Sequence, residues 1–227
     1  AYLLGMLHEI LDLRACLFAT RGLDALTTYQ RKLEIIQHNL YGVDLDPFAV
    51  NIARLRLWLS LIVDFEGQNP PPLPNLDFKI EVGDSLTGPD PSGGIQPDLF
   101  RKRQVEDFFR LKAEFLMSHG GEKVRLRSKI EELRREIAAW AHPQGGNGGF
   151  DWAVEFAEVF TPTSGRGNKG GFDIVLANPP YVRADAQYRH IADEEKRQAA
   201  IARWQAYRQE LKKGKTYQTL YEKWDLY

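Results

Sequence analysis

One cysteine, Cys16, stands in a chain of 227 residues, so no internal disulfide can form and a disulfide-stapled secreted scaffold is excluded. The five histidines, His8, His38, His119, His142 and His190, lack Cys or His neighbours at zinc-ligand spacing, and no metal site is expected. No apolar run approaches the ~18 residues of a membrane span, and no basic-then-apolar signal opens the chain. These absences read as a cytoplasmic protein without a membrane. Charge of one sign is also lacking, with 30 Lys/Arg against 31 Asp/Glu, while 43% hydrophobic residues exclude a disordered chain. The length suits one good-sized domain, or a domain with an appendage.

The near-neutral total hides an uneven distribution. Residues 1–100 carry 7 Lys/Arg against 13 Asp/Glu, 101–137 carry 11 against 7, 138–181 carry 2 against 4, and 182–227 carry 10 against 7. The two basic blocks admit a polyanion partner without demanding one, since solvated helix faces have the same composition.

An apolar pattern at Leu3, Leu7, Ile10, Leu13 and Leu17 predicts a first helix, with Cys16 as a small core residue on it. No capping residue precedes that helix, and the chain stops in the apolar stretch KWDLY, which reads as a cut at both ends. A second helix is expected over Leu23–Gln37, then a buried strand over Leu40–Leu45. Asp46-Pro47 is a helix start, the carboxylate able to accept from free backbone N–H groups and the proline suited to the first helical position. The helix that follows, Phe48–Phe65, is apolar around most of its circumference and should pack on a sheet. The prolines of Asn69–Pro74 make a connector. Phe78–Val82 and Phe172–Ala177 read as two further strands, and strands separated by helices indicate a mainly parallel α/β sheet.

Between those strands, Leu99–Ser118 and Glu122–Ala141 read as helices separated by Gly120-Gly121. Leu126, Ile130, Leu133, Ile137 and Trp140 form a heptad seam, which predicts an antiparallel helical hairpin, a strut or a nucleic-acid contact. Glycine-rich loops follow at Gln144–Gly149 and Ser164–Gly171. The second contains G-x-G-x-x-G at Gly165, Gly167 and Gly170, but it precedes a strand. A phosphate-cradling loop must follow one and open a helix, so this loop reads as a linker. Asp193 can cap a last helix running to about Lys213, with Ile201, Trp204, Arg208 and Leu211 on one face. The organisation is therefore a core over residues 1–98, a hairpin insertion over 99–142, linkers over 143–171, and a strand with a basic helical tail over 172–227.

Three strand ends carry polar residues: Asp44 in GVDLDP, Asp84 in GDS and Asn178 in NPPY. Ligands of open α/β sheets bind outside the carboxyl ends of strands, so the three can converge on one crevice. Each Asp alone is as readily a turn-forming carboxylate. Asn178-Pro179-Pro180-Tyr181 is more specific. Two prolines after a buried strand hold the chain extended and leave an amide, a free carbonyl and an aromatic ring on a rigid platform. The Asn178 side-chain oxygen and the Pro179 carbonyl could accept from the N–H groups of a planar conjugated amine and enrich its nitrogen, while Tyr181 stacks on the plane. A base carrying such an amine lies inside a duplex and must be flipped out to be reached.

In that order, GVDLDP, GDS and FDIVLANPPYVR resemble motifs II, III and IV of the S-adenosylmethionine-dependent N6-adenine DNA methyltransferases of the NPPY (gamma) class. The long spacer, FDWAVEFAEVF and YEKWDLY are most similar to the methylase part of large single-chain type IIG restriction-modification enzymes and related phage-defence methylases. The resemblance covers nearly the whole chain and implies a partial Rossmann-like sheet with helices on both faces. It places Asp44 on the cofactor ribose hydroxyls, Leu45 against the cofactor adenine, and Asp84, with Ser85 beside it, at the adenine amine. It assigns Asn178, Pro179, Pro180 and Tyr181 to the target adenine, with no metal, and makes double-stranded DNA the partner. Arg183 is the best candidate for a DNA-facing contact. Tyr188, Trp204, Tyr207 and Tyr217, interleaved with the ten Lys/Arg of the tail, suit a phosphate backbone or equally a packing face.

The resemblance has gaps. The glycine-rich motif I turn is absent, although AYLLGMLHEI resembles the helix that follows it, and later strands and a target-recognition domain are absent too. The chain alone is thus expected to bind S-adenosylmethionine weakly or not at all and not to methylate, with the missing N- and C-terminal parts of a parent as its partners; micromolar affinity in a calorimetric titration would refute this. Two other readings stay open: methyl transfer to another planar nitrogen, in a protein glutamine or an RNA guanine, and a non-catalytic DNA-binding scaffold that keeps the fold.

Overall fold

The computed structural model describes residues 2–19, 27–65, 67, 74–86, 88–89, 99–142, 149–161, 170–177, 188 and 191–213. Helix α1 (Tyr2–Ala19) buries Leu7 fully and packs Leu3 and Ile10 beside it, whereas Leu13 and Leu17 remain 61% and 64% exposed. Cys16 is exposed as well, which corrects its expected place in the core: the apolar contacts of α1 concentrate in its first half. Helix α2 (Thr28–His38) starts at a capping box in which Thr27 Oγ1 accepts from Gln30 N and Gln30 Oε1 accepts from Thr27 N. The expected start of this helix, residues 23–26, lies outside the described residues.

Strand β1 (Gly42–Asp44) leads into α3 (Pro47–Ile62) as the local chemistry dictates. Asp46 Oδ1 accepts from Phe48 N at 2.9 Å, and Pro47 takes the first helical position, where a missing N–H costs nothing. Strand β2 (Ile80–Val82) pairs parallel to β1 in the register Gly42↔Ile80, Val43↔Glu81, Asp44↔Val82. Its entry turn holds Phe78 at φ +64°, a left-handed conformation costing a non-glycine residue about 1–2 kcal/mol. The Phe78 ring is buried and meets Phe115 edge-on at 5.2 Å, and burial of such a side chain is worth ~1.5–3 kcal/mol, enough to offset the strain.

The strand pair has two covered faces. Leu40 and Ile80 point into an aliphatic cluster with α1, α2 and α3 (Leu7, Ile35, Ile36, Val50, Leu57, Leu61), while Tyr41 and Val43 point into a second cluster rich in aromatic rings. Alternation along β1 thus places helices on both sides of the sheet. The third expected strand is not formed. Residues 172–177 have no ladder partner among the described residues, and Ile174, Val175 and Leu176 are 65%, 74% and 53% exposed. A run of consecutive apolar residues is the pattern of a strand buried on both faces, but a strand exists only with a neighbour to hydrogen-bond.

Helices α4 (Leu99–Met117) and α5 (Gly120–Ala141) pack along one another. Gln104, near the start of α4, donates to Glu136 and accepts from the Trp140 indole near the end of α5, and Lys123 at the start of α5 lies over the Phe115 ring near the end of α4. The expected seam residues Leu126, Ile130 and Ile137 are buried against Val105, Phe108, Leu111 and Phe115. Gly120, at φ +58°, and Gly121 form the start of α5, two residues ahead of the expected start at Glu122, rather than a break between the helices.

Residues 150–160 are not linker. They form two one-turn helices, α6 (Trp152–Glu155) and α7 (Ala157–Phe160), and supply Phe150, Val154, Phe156 and Phe160 to the aromatic cluster. Asp151 caps α6, and its other oxygen lies 2.7 Å from His142 Nε2, tying the end of α5 to this segment. Helix α8 (Glu194–Lys213) begins at Asp193, whose Oδ1 accepts from Glu195 N and Lys196 N. Among the described residues no helix is long and apolar enough to cross a membrane.

Candidate functional site

The parallel register brings the ends of β1 and β2 together, and Gly83 N donates to Asp44 O at 3.0 Å, joining the two turns directly. Asp44 is exposed, and its Oδ1 accepts from Asp46 N at 2.9 Å in an Asx-type turn. Leu45, beside it, is 73% exposed, an apolar side chain at the very place where the strand ends. A cavity of about 220 Å³ opens next to Asp44, lined by Val43, Ile80, Ala53 and Arg56 among others.

Asp84 is held far more firmly. Its Oδ1 accepts from Leu86 N at 3.0 Å, closing its own turn, and from the Tyr207 hydroxyl of α8 at 3.2 Å. Its carbonyl accepts from Phe150 N at 3.0 Å, and the carbonyl of the exposed Ser85 accepts from Trp152 Nε1 at 3.2 Å. A carboxylate offers about four lone-pair sites, so Leu86 and Tyr207 use two of them.

Behind these turns the aromatic cluster encloses charge. Lys112 Nζ pairs with Glu158 Oε1 at 2.8 Å and donates to Glu155 O at 2.9 Å, and the Tyr41 hydroxyl donates to the same Glu158 oxygen at 3.2 Å. Lys79, also buried, places its Nζ 3.6 Å from the Tyr41 ring centroid. Its burial, opposed by the nearby Glu158 and assisted by Lys112, pulls the Lys79 amine down to about 7. Burial raises the carboxyls of Glu81 and Glu155, each further raised by a neighbouring acid and eased by cations, Arg54 beside Glu81 and Arg134 beside Glu155. Burial and Glu158 together push the Tyr41 hydroxyl up.

Of the sequence-predicted residues, Asp44, Leu45, Asp84 and Ser85 are thus brought to one edge of the sheet. Asn178, Pro179, Pro180, Tyr181 and Arg183 lie outside the described residues. Three contacts at the Asp84–Ser85 turn were missed from sequence: Phe150, Trp152 and Tyr207. The first two follow a glycine-rich loop and carry no periodic signal. Tyr207 was singled out only as one of several aromatic residues in a basic tail.

No solved structure matches the chain. The putative type II restriction enzyme and methyltransferase RM.MjaORFECS2P of Methanocaldococcus jannaschii is 40% identical over 91 residues, covering 38% of this chain. The chain spans 8% of that relative's length. The Eco57I restriction-modification methylase family matches residues 38–227, a stretch that begins just ahead of β1 and takes in both aspartate turns, the aromatic segment, the NPPY sequence and α8. With that extent of match, the chain belongs to the Eco57I restriction-modification methylase family.

Proposed function

We propose that this chain is part of the catalytic domain of a site-specific DNA methyltransferase that transfers a methyl group from S-adenosylmethionine to N6 of an adenine flipped out of double-stranded DNA. The observation that carries the reading is the side-by-side presentation of Asp44 and Asp84 at the ends of two parallel strands, joined by the Gly83–Asp44 backbone bond. Family membership and the order GVDLDP, GDS, NPPY support it. In this reading β1 and β2 belong to a Rossmann-like sheet, the α4–α5 pair is an inserted hairpin, and the DNA lies on the side of the NPPY segment, with Arg183 towards it.

The residues present fit the cofactor. Asp44 is an exposed carboxylate with one oxygen engaged locally, suited to accept two ribose hydroxyls, and Leu45 offers an exposed apolar surface to a purine ring. Asp84, already oriented, can accept an exocyclic amine at the lone pairs that Leu86 and Tyr207 do not use, with Ser85 adjacent. S-adenosylmethionine supplies a sulfonium-activated methyl group. Asn178 and the Pro179 carbonyl accept from the target amine, which raises electron density on its nitrogen. Pro180 keeps the platform extended, and Tyr181 stacks on the base.

The test uses the full-length protein. Labelled S-adenosylmethionine is offered with DNA, RNA and protein in turn, and label is expected in DNA as N6-methyladenine. Label in protein or RNA assigns the site to another planar nitrogen, and no label in any substrate favours a non-catalytic scaffold. Asn178→Ala is expected to abolish transfer with the unfolding midpoint unchanged; full activity in that variant would reject its assignment.

A further inference from the structure

The Asp84 turn is built around Phe150. A Cβ added at Gly83 would stand 2.5 Å from the Phe150 ring, and one added at Gly88 would stand 1.9 Å from the Phe150 carbonyl oxygen. The two glycines therefore flank Asp84 where the chain must pass against Phe150 backbone and ring, a closeness that no side chain at position 88 can share. Phe150 N then bonds to Asp84 O, and the Trp152 indole bonds to Ser85 O. Three hydrogen bonds from two distant segments hold the backbone of residues 83–85: Gly83 N to Asp44 O from β1, and Phe150 N to Asp84 O and Trp152 Nε1 to Ser85 O from the aromatic segment.

The rings continue the connection. Trp152 meets Phe150 at 5.0 Å, Phe156 at 5.9 Å and Phe172 at 6.0 Å, and fully buried Phe156 meets Phe150, Phe172 and Tyr41. Phe172 opens the segment that runs to Asn178, and Tyr41 immediately precedes β1. One hub thus touches the roots of all three stretches that carry the candidate site residues. Its edge-on geometry is the favoured one for aromatic pairs, and packing of this kind deforms little.

We propose that Phe150 and Trp152 are positioning residues for the Asp84 carboxylate, and that Phe156 and Phe172 relate this position to the segment leading to Asn178. The inference rests on the reading in which Asp84 accepts from the cofactor adenine amine. A carboxylate held in place beforehand loses less freedom on binding, and tolerances of about 10–20° separate productive from unproductive orientation.

The experiment compares wild type, Trp152→Phe, Gly88→Ala and Asp84→Ala in the full-length protein by calorimetric titration with S-adenosylhomocysteine, amide exchange over residues 83–89, and thermal unfolding. Trp152→Phe keeps an aromatic ring and removes the indole N–H. It is expected to weaken affinity roughly threefold to tenfold, the span that one hydrogen bond carries, with faster exchange at Leu86 N and a nearly unchanged midpoint. Gly88→Ala, which displaces the Phe150 carbonyl, is expected to weaken affinity and speed local exchange more strongly while also lowering the midpoint, and Asp84→Ala to weaken affinity most. Wild-type affinity and exchange in Trp152→Phe and Gly88→Ala, with Asp84→Ala impaired, would overturn the inference alone. Affinity losses that follow a lowered midpoint, with local exchange unchanged, would reduce these rings to packing and overturn it too. Unchanged affinity in Asp84→Ala would overturn the underlying reading.

Discussion

Asp44 ends β1 and Asp84 stands two residues beyond the parallel strand β2, yet the Asp44 carboxylate is exposed with a single local hydrogen bond whereas the Asp84 turn is gripped by residues from 66 to 123 positions away. The bond between Phe150 N and Asp84 O bridges 66 positions (150 − 84), the Trp152–Ser85 bond 67, and the Tyr207–Asp84 bond 123. The aliphatic face near Asp44 is a helix-on-sheet core whose α3 still exposes Phe48, Ile52, Leu55 and Leu59, whereas the aromatic face near Asp84 closes over rings and buried charge. Identical side chains at the same end of a sheet, one on the strand and one just past it, therefore differ in how far they are prepared for a ligand. The difference comes from what packs behind the turn.

The largest test of this comparison removes the hub. Phe156→Ala is expected to cost about 3–5 kcal/mol in guanidinium unfolding, and to speed amide exchange at Leu86 and Phe150 while leaving Val50 protected. A loss below ~1 kcal/mol, or equal deprotection at Val50, would break the claimed division between the faces. The next concerns the charge under the aromatic face. Because the folded-state pKa of Lys79 is depressed, the unfolded chain binds more protons between about 7 and the ordinary 10.5, so Lys79 makes stability rise with pH across that window. Lys79→Met is expected to stabilise by about 1–4 kcal/mol below pH 7, with the gain fading as pH approaches 10. A gain independent of pH, or a loss at pH 6, would mean that the Tyr41 contact outweighs the cost of burying the amine.

Smaller effects sharpen the contrast between the two carboxylates themselves. Asp84→Ala should lose about 1–3 kcal/mol of unfolding free energy, since it abandons the Leu86 amide and the Tyr207 hydroxyl, while Asp44→Ala at an exposed turn should lose under ~0.5 kcal/mol. Equal losses would place the two turns in one class. Tyr207→Phe should lose about 0.5–1.5 kcal/mol, between those two, and measures how much α8 contributes to the Asp84 end.

Much of this was legible locally. The Asp46-Pro47 start needs only neighbouring atoms, and it appears as expected. The apolar seam of α5 needs only helical period, and its residues Leu126, Ile130 and Ile137 are buried. The strand expected at 172–177 failed because a ladder is made between segments and its pattern names no partner. Residues 150–160 escaped because two one-turn helices have no period to detect, and glycines on either side suggested a linker. Asp44 falls at the end of β1 and Asp84 two residues beyond β2, close to where the pattern placed them, but their unequal support is a property of contacts between distant segments, which spacing does not encode.

The positive φ of Phe78 carries a consequence for timing. The turn that delivers β2 into register is one that phenylalanine adopts only while its ring is lodged beside Phe115 and under Arg127. Until the ribosome has made α4 and the first turns of α5, nothing holds that ring, and the backbone at 78 is free to relax to an ordinary conformation. The register of the two strands, and with it the adjacency of the two carboxylates, is therefore settled late, by a helix pair still to be synthesised when β2 emerges. Chains released after truncation before residue 115 should accordingly leave the 78–82 segment open to protease, and chains that extend past the end of α5 should protect it.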